Sequence, residues 1–325
     1  MGHYLVTGAA GFIASRVAEF LLADGHTVFG VDNLCDAYDV RMKEHRLKGL
    51  QNRPGFTFKK MDISDLEQVK ILGKEMGPAE AVINLAARAG VRSSVENPWV
   101  YYSANLSGTL NLLDLCRQHG IGKFILASTS SIYGANPPLP TPEEADSSRP
   151  LQPYAASKKA AETLCYTYHY LHGIDATIFR YFTVYGPAGR PDMVMFRLVQ
   201  WIAEGRTVRL TGDGTQSRGF TYLDDIARGT ILGLKPLGYE IINLGGHQII
   251  TMNELIQMIE SLTGRKAVVE HLPLHPADAL ANNADVQKAR RLLDWQPRFT
   301  LEEGVRRLVD WYLTERAWAS QVATP

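Results

Sequence analysis

The sequence predicts an α/β fold in which a doubly wound parallel sheet is joined to a smaller α/β lobe. In the first half of the chain, short apolar runs alternate with longer amphipathic stretches. This is the pattern of strands and crossover helices in a parallel sheet. In the second half, clusters of glycine and proline interrupt the alternation, which indicates a unit of different architecture.

The predicted strands are continuous apolar runs, as expected for strands that are buried on both faces of a sheet. They fall at residues 3–7, 27–32, 56–61, 81–84, 123–127 and 174–180. Amphipathic helices are predicted at residues 12–23, 101–119 and 153–172. Gly173 follows the last of these helices, in the position where glycine commonly ends a helix.

The chain is predicted to divide near residue 180. Residues 1–180 form the first domain and residues 181–325 form mainly the second lobe, with a later return of the chain to the first domain left open. Loop clusters at residues 186–191 and 212–214 mark the change of pattern. The length of 325 residues fits one large domain or two closely joined ones.

Composition and charge exclude several classes of protein. Apolar residues make up 45% of the chain and charged residues 21%, which is unlike a disordered or collagen-like sequence. The 34 basic and 34 acidic residues give a net charge of +0. No overall positive field therefore attracts nucleic acid or an anionic membrane, and an anionic ligand must be bound by local groups.

The sequence is typical of a cytoplasmic protein. Its cysteines, Cys35, Cys116 and Cys165, lie far apart, which argues against a disulfide framework or a zinc site. No apolar run approaches the length of about 18 residues that a membrane span needs. The start of the chain lacks the basic region of a secretory signal. We therefore expect no metal, no membrane partner and no nucleic-acid partner.

A glycine-rich turn between the first strand and the first helix indicates a dinucleotide site. It reads Thr7-Gly8-Ala9-Ala10-Gly11-Phe12-Ile13-Ala14. Gly8 allows the tight turn, and Gly11 lets the backbone approach a pyrophosphate at the helix N-terminus. Alanine is accepted at the third motif position, that of Ala14. On its own, the pattern also fits an ordinary strand–turn–helix.

Residues at the ends of later strands extend this pattern to a Rossmann-type domain that binds NAD. Asp32 ends the second predicted strand, where a carboxylate accepts hydrogen bonds from an adenosine ribose and repels a 2′-phosphate. NAD is therefore favoured over NADP. The predicted cofactor-binding residues are Gly8, Gly11, Phe12, Ile13, Asp32, Asn33, Asp62, Ile63, Leu85, Ala86, Ala87, Lys158 and Tyr181.

A tyrosine and a lysine form the predicted catalytic pair. The spacing in Tyr154-Ala155-Ala156-Ser157-Lys158 puts both side chains on one face of a helix. A free phenol has a pKa of about 10, which a neighbouring ammonium and the positive nicotinamide ring would lower. This spacing also arises by chance. The preceding run Ser128-Thr129-Ser130-Ser131 and the glycine-rich turn favour a catalytic role.

Together these motifs resemble the extended short-chain dehydrogenase/reductases. The resemblance covers nearly the whole chain, through residues 218–225 to Asp294-Trp295-Gln296-Pro297. It implies a nucleotide-sugar enzyme with NAD in the N-terminal lobe and a UDP-sugar under the C-terminal lobe. It also implies that Thr129 and Tyr154 contact the reacting sugar oxygen, and that helices 101–119 and 153–172 form a homodimer.

Residues 32–41, 89–92 and 181–193 are similar to UDP-glucuronate 4-epimerases. UDP-glucose 4-epimerases usually carry asparagine at the position of Thr183, where a hydroxyl suits a uronate carboxylate. Relatives that dehydrate sugars carry Asp-Glu at Ser130-Ser131, and UDP-glucuronate decarboxylases typically carry Glu at Ser131. Neither of these positions is a carboxylate here, so a group that dehydration needs for proton transfer is lacking.

The resemblance implies 4-epimerisation, with UDP-glucuronate to UDP-galacturonate as the best match. Tyr154, helped by Lys158 and Thr129, removes the O4 proton; the C4 hydride passes to NAD, and it returns to the other face of a transient 4-keto sugar. The alternatives left open are a UDP-glucose or UDP-N-acetylglucosamine 4-epimerase, a UDP-glucuronate decarboxylase and, outside enzymes, an NAD-sensing regulatory protein.

The predicted substrate site combines hydroxyl groups with cations. Arg218 matches a family position that meets the diphosphate, and the planar fork of arginine suits that contact. For Arg190, near the sugar or phosphate, and for Asp278, near a uridine ribose, a surface ion pair is the simpler alternative. The predicted substrate-binding residues are Thr129, Ser130, Ser131, Tyr154, Thr183, Arg190, Arg218 and Asp278.

Overall fold

The structure is a computed structural model that describes residues 1–246, 248–273 and 282–324. Its strands are, in chain order, β1 (His3–Thr7), β2 (Thr27–Asp32), β3 (Phe56–Lys60), β4 (Ala81–Asn84), β5 (Lys123–Thr129), β6 (Asp175–Tyr181), β7 (Thr183–Tyr185), β8 (Val208–Thr211), β9 (Ser217–Tyr222), β10 (Tyr239–Leu244), β11 (Gln248–Thr251) and β12 (Val269–Leu272).

The helices are, in chain order, α1 (Phe12–Ala23), α2 (Arg41–Gln51), α3 (Leu66–Glu75), α4 (Val91–Glu96), α5 (Trp99–Tyr101), α6 (Gly108–His119), α7 (Pro153–His172), α8 (Val194–Ala203), α9 (Leu223–Leu232), α10 (Met252–Thr263), α11 (Gln287–Leu293), α12 (Leu301–Thr314) and α13 (Arg316–Ala319). A π-helical stretch, Tyr102–Ser107, joins α5 to α6, and a 3₁₀ turn, Ser130–Tyr133, follows β5.

Seven parallel strands form the large sheet, in the order β10-β6-β5-β4-β1-β2-β3. The chain starts near the centre at β1, moves outward through β2 and β3, and then crosses to β4 on the other side. The doubly wound fold predicted from the sequence is therefore confirmed. Ligands bind such sheets in the crevice where the winding changes direction, which here lies between β1 and β4.

Apolar side chains cover both faces of the large sheet. Along β1, Tyr4 and Val6 belong to one core cluster and Leu5 to the other, because successive side chains of a strand point to opposite faces. Val17 of α1 joins the first cluster and Leu112 of α6 the second. This two-sided burial explains why the strands read as continuous apolar runs.

The second half of the chain returns to the large sheet at β10, where Asn243 lies opposite Arg180 of β6. The remaining strands form a sheet in the order β11-β9-β7 and the pair β12-β8. Together with α8, α10 and α12 they enclose a separate apolar cluster that includes Phe220, Leu255 and Leu308. The assignment of residues 181–325 to a substrate-binding lobe stays a prediction.

Several predicted boundaries differ from the structure by one or two residues. The strand predicted at 123–127 continues to Thr129, because Ser128 and Thr129 pair with Arg180 and Tyr181 of β6. The strand predicted at 174–180 starts and ends one residue later, and the strand predicted at 56–61 ends at Lys60. Among the described helices, none is long and apolar enough to cross a lipid bilayer.

Candidate active site

The glycine-rich turn lies between β1 and α1, beside the crevice of the sheet. Gly8 has a φ of +70°, and a Cβ added there would lie 2.9 Å from Ala86. A Cβ added at Gly11 would lie 2.7 Å from the Gly8 carbonyl oxygen. Both positions therefore need glycine. Gly11 precedes α1 without a side-chain cap, so the N–H groups of Phe12 and Ile13 can serve an anion.

Hydrogen bonds join this turn to the end of β4. Thr7 Oγ1 donates to Asn84 Oδ1 at 2.7 Å and accepts from Ala86 N at 3.2 Å. Beyond Asn84, the side chains of Leu85 and Ala86 are half-buried and that of Ala87 is exposed. The predicted cofactor residues that follow β1 and β4 therefore meet at one edge of the sheet.

Asp32 lies at the end of β2, on the other side of the turn. Its carboxylate accepts hydrogen bonds from Ala10 N and from Lys43 Nζ, both at 3.2 Å. Asn33 Nδ2 donates to Asp62 Oδ2 at 2.9 Å, which joins the ends of β2 and β3. The site fits NAD: the two glycines form a tight turn packed against the end of β4, α1 offers N–H groups to a diphosphate, and a carboxylate faces the turn.

Two predicted cofactor residues have side chains in the core. Tyr181 shares a hydrogen bond of 2.7 Å between its hydroxyl and Thr230 Oγ1, and its ring stacks on that of Phe179. Ile63 is buried, and its carbonyl oxygen accepts from Asn111 Nδ2 at 2.9 Å. Both side chains therefore lie in the protein interior, where they pack in the apolar clusters that cover the large sheet.

Tyr154 and Lys158 lie one turn apart on α7, beside the end of β5. The Lys158 side chain is 2% exposed, and its Nζ donates to the Ala127 carbonyl oxygen at 2.8 Å. Burial raises the pKa of the Tyr154 phenol, whereas its hydrogen bond with Thr129 and the charge of Arg190 lower that pKa. The structure therefore brings the three residues predicted to be catalytic together.

The chain turns sharply after β5, and Thr129 caps this turn. Thr129 Oγ1 accepts from Ser131 N and donates to Ser131 Oγ, both at 3.2 Å. Asn282 Nδ2 approaches Ser130 Oγ at 3.5 Å. A compact row of hydroxyl groups therefore lies beside Tyr154.

The other predicted substrate residues come from the second half of the chain. Thr183 begins β7 and lies opposite Phe220 of β9. Arg190 forms a two-point ion pair with Asp192, with distances of 3.0 Å and 2.5 Å. Arg218 lies in β9 and donates to the Ser217 carbonyl oxygen at 2.9 Å. Asp278 lies outside the described residues.

The sequence did not predict the role of Asn105, which lies in the π-helical stretch. Its Oδ1 accepts from Arg88 N at 2.9 Å, and its Nδ2 donates to the Arg88 carbonyl oxygen at 3.0 Å and to Ser157 Oγ at 2.9 Å. Ser157 Oγ in turn donates to the Tyr154 carbonyl oxygen at 2.8 Å. Asn105 thus fastens α7 beside Tyr154, and π-helical stretches are frequent at functional sites.

A buried ion pair beneath α7 was also not predicted. Glu162, one turn beyond Lys158, accepts two hydrogen bonds from Arg180 of β6, at 3.0 Å and 2.9 Å. Ser128 Oγ of β5 donates to the same carboxylate at 2.6 Å. The sequence signals were an acidic residue four positions after Lys158 and an arginine that follows two apolar residues near the end of a predicted strand.

Comparisons with known proteins agree with this geometry. A model of the NAD dependent epimerase/dehydratase family matches residues 4–245. A UDP-glucuronate 4-epimerase of Thermodesulfobacterium geofontis is 55% identical over 312 residues, which are 96% of each chain.

Solved structures give the same result. UDP-glucuronic acid 4-epimerase from Bacillus cereus, in complex with UDP-glucuronic acid and NAD, is 35% identical, with a TM-score of 0.89 over 96% of this chain and 99% of that one. UDP-glucose 4-epimerase from Thermotoga maritima, with UDP-glucose, is 31% identical, with a TM-score of 0.89 over 97% and 99%. The chain belongs to the NAD dependent epimerase/dehydratase family, and the resemblance inferred from its motifs is confirmed.

The buried position of Lys158 gives a testable titration. Burial lowers the pKa of its ammonium to about 8, although the charge of Glu162 raises it. The ammonium should thus carry its charge below about pH 8 and lose it above. NMR titration of isotopically labelled lysine, assigned with Lys158→Met, measures this pKa. Glu162→Gln removes a negative charge and should lower the pKa further; an unchanged or higher value would contradict the described electrostatics.

Proposed function

We propose that this protein is an NAD-dependent 4-epimerase that interconverts UDP-glucuronate and UDP-galacturonate. The observation that carries the proposal is the position of Tyr154 and Thr129 at the carboxyl end of β5, beside Ser130 and Ser131. This arrangement provides a proton acceptor for a sugar hydroxyl. It places neutral hydroxyl groups where dehydrating relatives carry acids.

The residues proposed to hold NAD are those that line the crevice between β1 and β4, together with the neighbouring strand ends. NAD, when bound, supplies a reversible acceptor for the hydride at C4 of the sugar. Gly8 and Gly11 allow the tight turn that leads into α1, whose first N–H groups are proposed to bind the diphosphate. Asp32 orients a ribose by accepting its hydroxyl hydrogens.

Tyr154 is proposed as the acid–base residue. Its phenolate accepts the proton of the sugar O4 when the 4-keto sugar forms, and its phenol returns that proton in the reverse direction. The Lys158 ammonium stabilises the phenolate electrostatically, and Thr129 donates a hydrogen bond at the same oxygen. Because both the C4 hydride and the O4 proton are returned to the sugar, the sugar undergoes no net oxidation.

The hydroxyl groups favour a uronate as substrate. A 4-keto uronate is a β-keto acid, which loses carbon dioxide when the bond to its carboxylate aligns with the carbonyl group. We propose that Ser130, Ser131 and Thr183 donate hydrogen bonds to this carboxylate and hold the bond out of alignment, while Thr129 positions Ser131. Hydroxyl groups do this without the like-charge repulsion that an acidic side chain would add.

Cations are proposed to bind the anionic part of the substrate. Arg218 and Arg190 are assigned to the diphosphate and the sugar, and Asp278 to the uridine ribose. The assignment of Arg190 to the sugar is supported by its position close to Tyr154, where its charge lowers the pKa of the phenol. With a net charge of +0, affinity for the dianionic diphosphate must come from such local groups.

We also propose a homodimer formed by the helices at residues 99–119 and by α7. Large apolar side chains on these helices are exposed, with Trp99 81% and Tyr170 77% accessible. Leu110 and Tyr166 add to the same exposed set. Exposed apolar surface of this kind marks an interface between protein chains.

The first test of the function is the product. UDP-glucuronate, UDP-glucose and UDP-N-acetylglucosamine are incubated separately, and proton NMR follows the configuration at C4. UDP-galacturonate from UDP-glucuronate is expected. Tyr154→Phe should lower kcat by about a hundredfold to ten-thousandfold, because it removes the acid–base group. Tyr168→Phe on the same helix is the matched control and should leave kcat unchanged. Faster turnover of a neutral sugar would identify a different epimerase.

The second test concerns the carboxylate. Thr183→Val removes one proposed donor while conserving shape. Because a hydrogen bond to a charged group contributes about 1.5 to 3 kcal/mol, the share of UDP-pentose and carbon dioxide among the products should rise about tenfold or more. Thr314→Val, on the exposed end of α12, is the control. If wild-type protein already yields chiefly UDP-pentose, the protein is a decarboxylase and the holding role is wrong.

The third test concerns assembly. Sedimentation analysis should give the mass of two chains for the wild-type protein. Trp99→Asp places a charge in the interface and should weaken association by more than about 2 kcal/mol, as expected for a central tryptophan. Leu313→Asp, at an exposed apolar position of α12, should remain dimeric. A monomeric wild type, or a Trp99→Asp variant that stays dimeric, would refute this surface.

A further inference from the structure

Arg46 of α2 lies buried between the glycine-rich turn and the loop at residues 186–191, with 6% of its surface exposed. Its guanidinium donates to the Ala10 carbonyl oxygen at 3.3 Å and to the Tyr38 hydroxyl at 2.8 Å. It also donates twice to the Ala188 carbonyl oxygen, at 2.9 Å and 2.7 Å, and to that of Gly189 at 3.3 Å. One side chain therefore joins the turn after β1 to a loop that follows β7.

The loop is held in a conformation that its own sequence disfavours. Ala188 has a φ of +52°, a left-handed conformation that costs a residue with a Cβ about 1 kcal/mol or more and persists only when its surroundings impose it. The double contact of Arg46 with the Ala188 carbonyl oxygen is such a constraint. An added Cβ at Gly189 would lie 3.8 Å from the ring of Phe12, so the loop passes close to the start of α1.

The next residue along this loop is Arg190, whose charge reaches the phenol of Tyr154. Asp192 holds the Arg190 guanidinium in place through the two-point ion pair. The backbone of Arg190 is held by the two preceding residues, Ala188 and Gly189, because their carbonyl oxygens accept hydrogen bonds from Arg46. A shift of this loop would therefore move a cation relative to the phenol.

We propose that Arg46 is a positioning residue, which fixes loop 186–191 against the glycine-rich turn and thereby sets the placement of Arg190 relative to Tyr154. The inference rests on the proposed epimerase function. Arg46 is proposed to act through Arg190, without contact with the substrate. Its contacts with Ala10 on one side and Ala188 on the other also make the cofactor turn and the substrate loop one rigid unit.

A double-mutant cycle tests the proposal. Wild type, Arg46→Met, Arg190→Met and the double variant are compared by kcat and KM for UDP-glucuronate at saturating NAD, with bound NAD and unfolding temperature measured for each. Arg46→Met should lower kcat/KM about tenfold or more, because a small displacement of a positioned group costs that much. In the Arg190→Met background the same change should cost less than about twofold, because coupled residues are non-additive.

Two further variants serve as a control for the loss of an arginine and as a conservative replacement of Arg46. Arg53→Met, just after α2, removes an arginine whose guanidinium makes exposed contacts, and it should keep kcat/KM within about twofold of wild type. Arg46→Lys keeps the charge without the planar fork and should fall between wild type and Arg46→Met. If Arg46→Met does not fold, Arg46→Lys takes its place in the cycle.

Some outcomes would overturn the inference. An equal loss from Arg46→Met in both backgrounds would mean that Arg46 acts independently of Arg190. A loss fully explained by reduced NAD content would assign Arg46 to cofactor retention alone. Unchanged kinetics of Arg46→Met in an active enzyme would contradict only this inference, whereas a wild type that turns over no UDP-sugar would contradict the proposed function as well.

Discussion

The placement of the residues proposed to be catalytic depends on one buried carboxylate, that of Glu162. It is shared by Arg180 of β6 and Ser128 of β5, so it fastens the middle of α7 to two adjacent strands. Losing one partner of such a pair typically costs about 3 to 5 kcal/mol, since the other charge is left buried and unpaired. The same helix carries Lys158 one turn earlier and Tyr154 two turns earlier. Their positions relative to the end of β5 therefore follow from this anchor.

The charged forms of Tyr154 and Lys158 are stabilised by nearby charged side chains and not by the net charge of the protein. Acidic and basic residues balance in this chain, with a net charge of +0, and burial disfavours the charged forms of both Tyr154 and Lys158. Arg190 opposes the effect of burial on the phenol, while Glu162 opposes it on the ammonium. Two charges outside the Tyr–Lys pair therefore influence it, Arg190 on the loop after β7 and Glu162 on α7 itself.

The sequence was sufficient for features that depend on neighbours along the chain. The bounds of β1 and α1 agree with the structure because an apolar run, a glycine turn and an amphipathic helix are local patterns. Arg46 was missed, because its partners Ala10 and Ala188 are distant in sequence and are backbone carbonyl groups, which any residue supplies. Asn105 was missed for a related reason: a π-helical stretch inside an otherwise regular helical pattern leaves no periodic signature.

The proposed control of decarboxylation needs a rigid turn as well as hydroxyl groups. A β-keto acid loses carbon dioxide only from conformations in which the bond to the carboxylate aligns with the π system of the keto group. A holding site must therefore keep that bond out of alignment while the ring can still present its other face. Freely rotating serines would not do this. Here Ser131 is bound to Thr129 through both its N–H and its hydroxyl group, and Thr129 belongs to β5. Because Thr129 belongs to the central sheet, the hydroxyl groups bonded to it are held rigidly. In this proposal, the fold therefore favours epimerisation over decarboxylation.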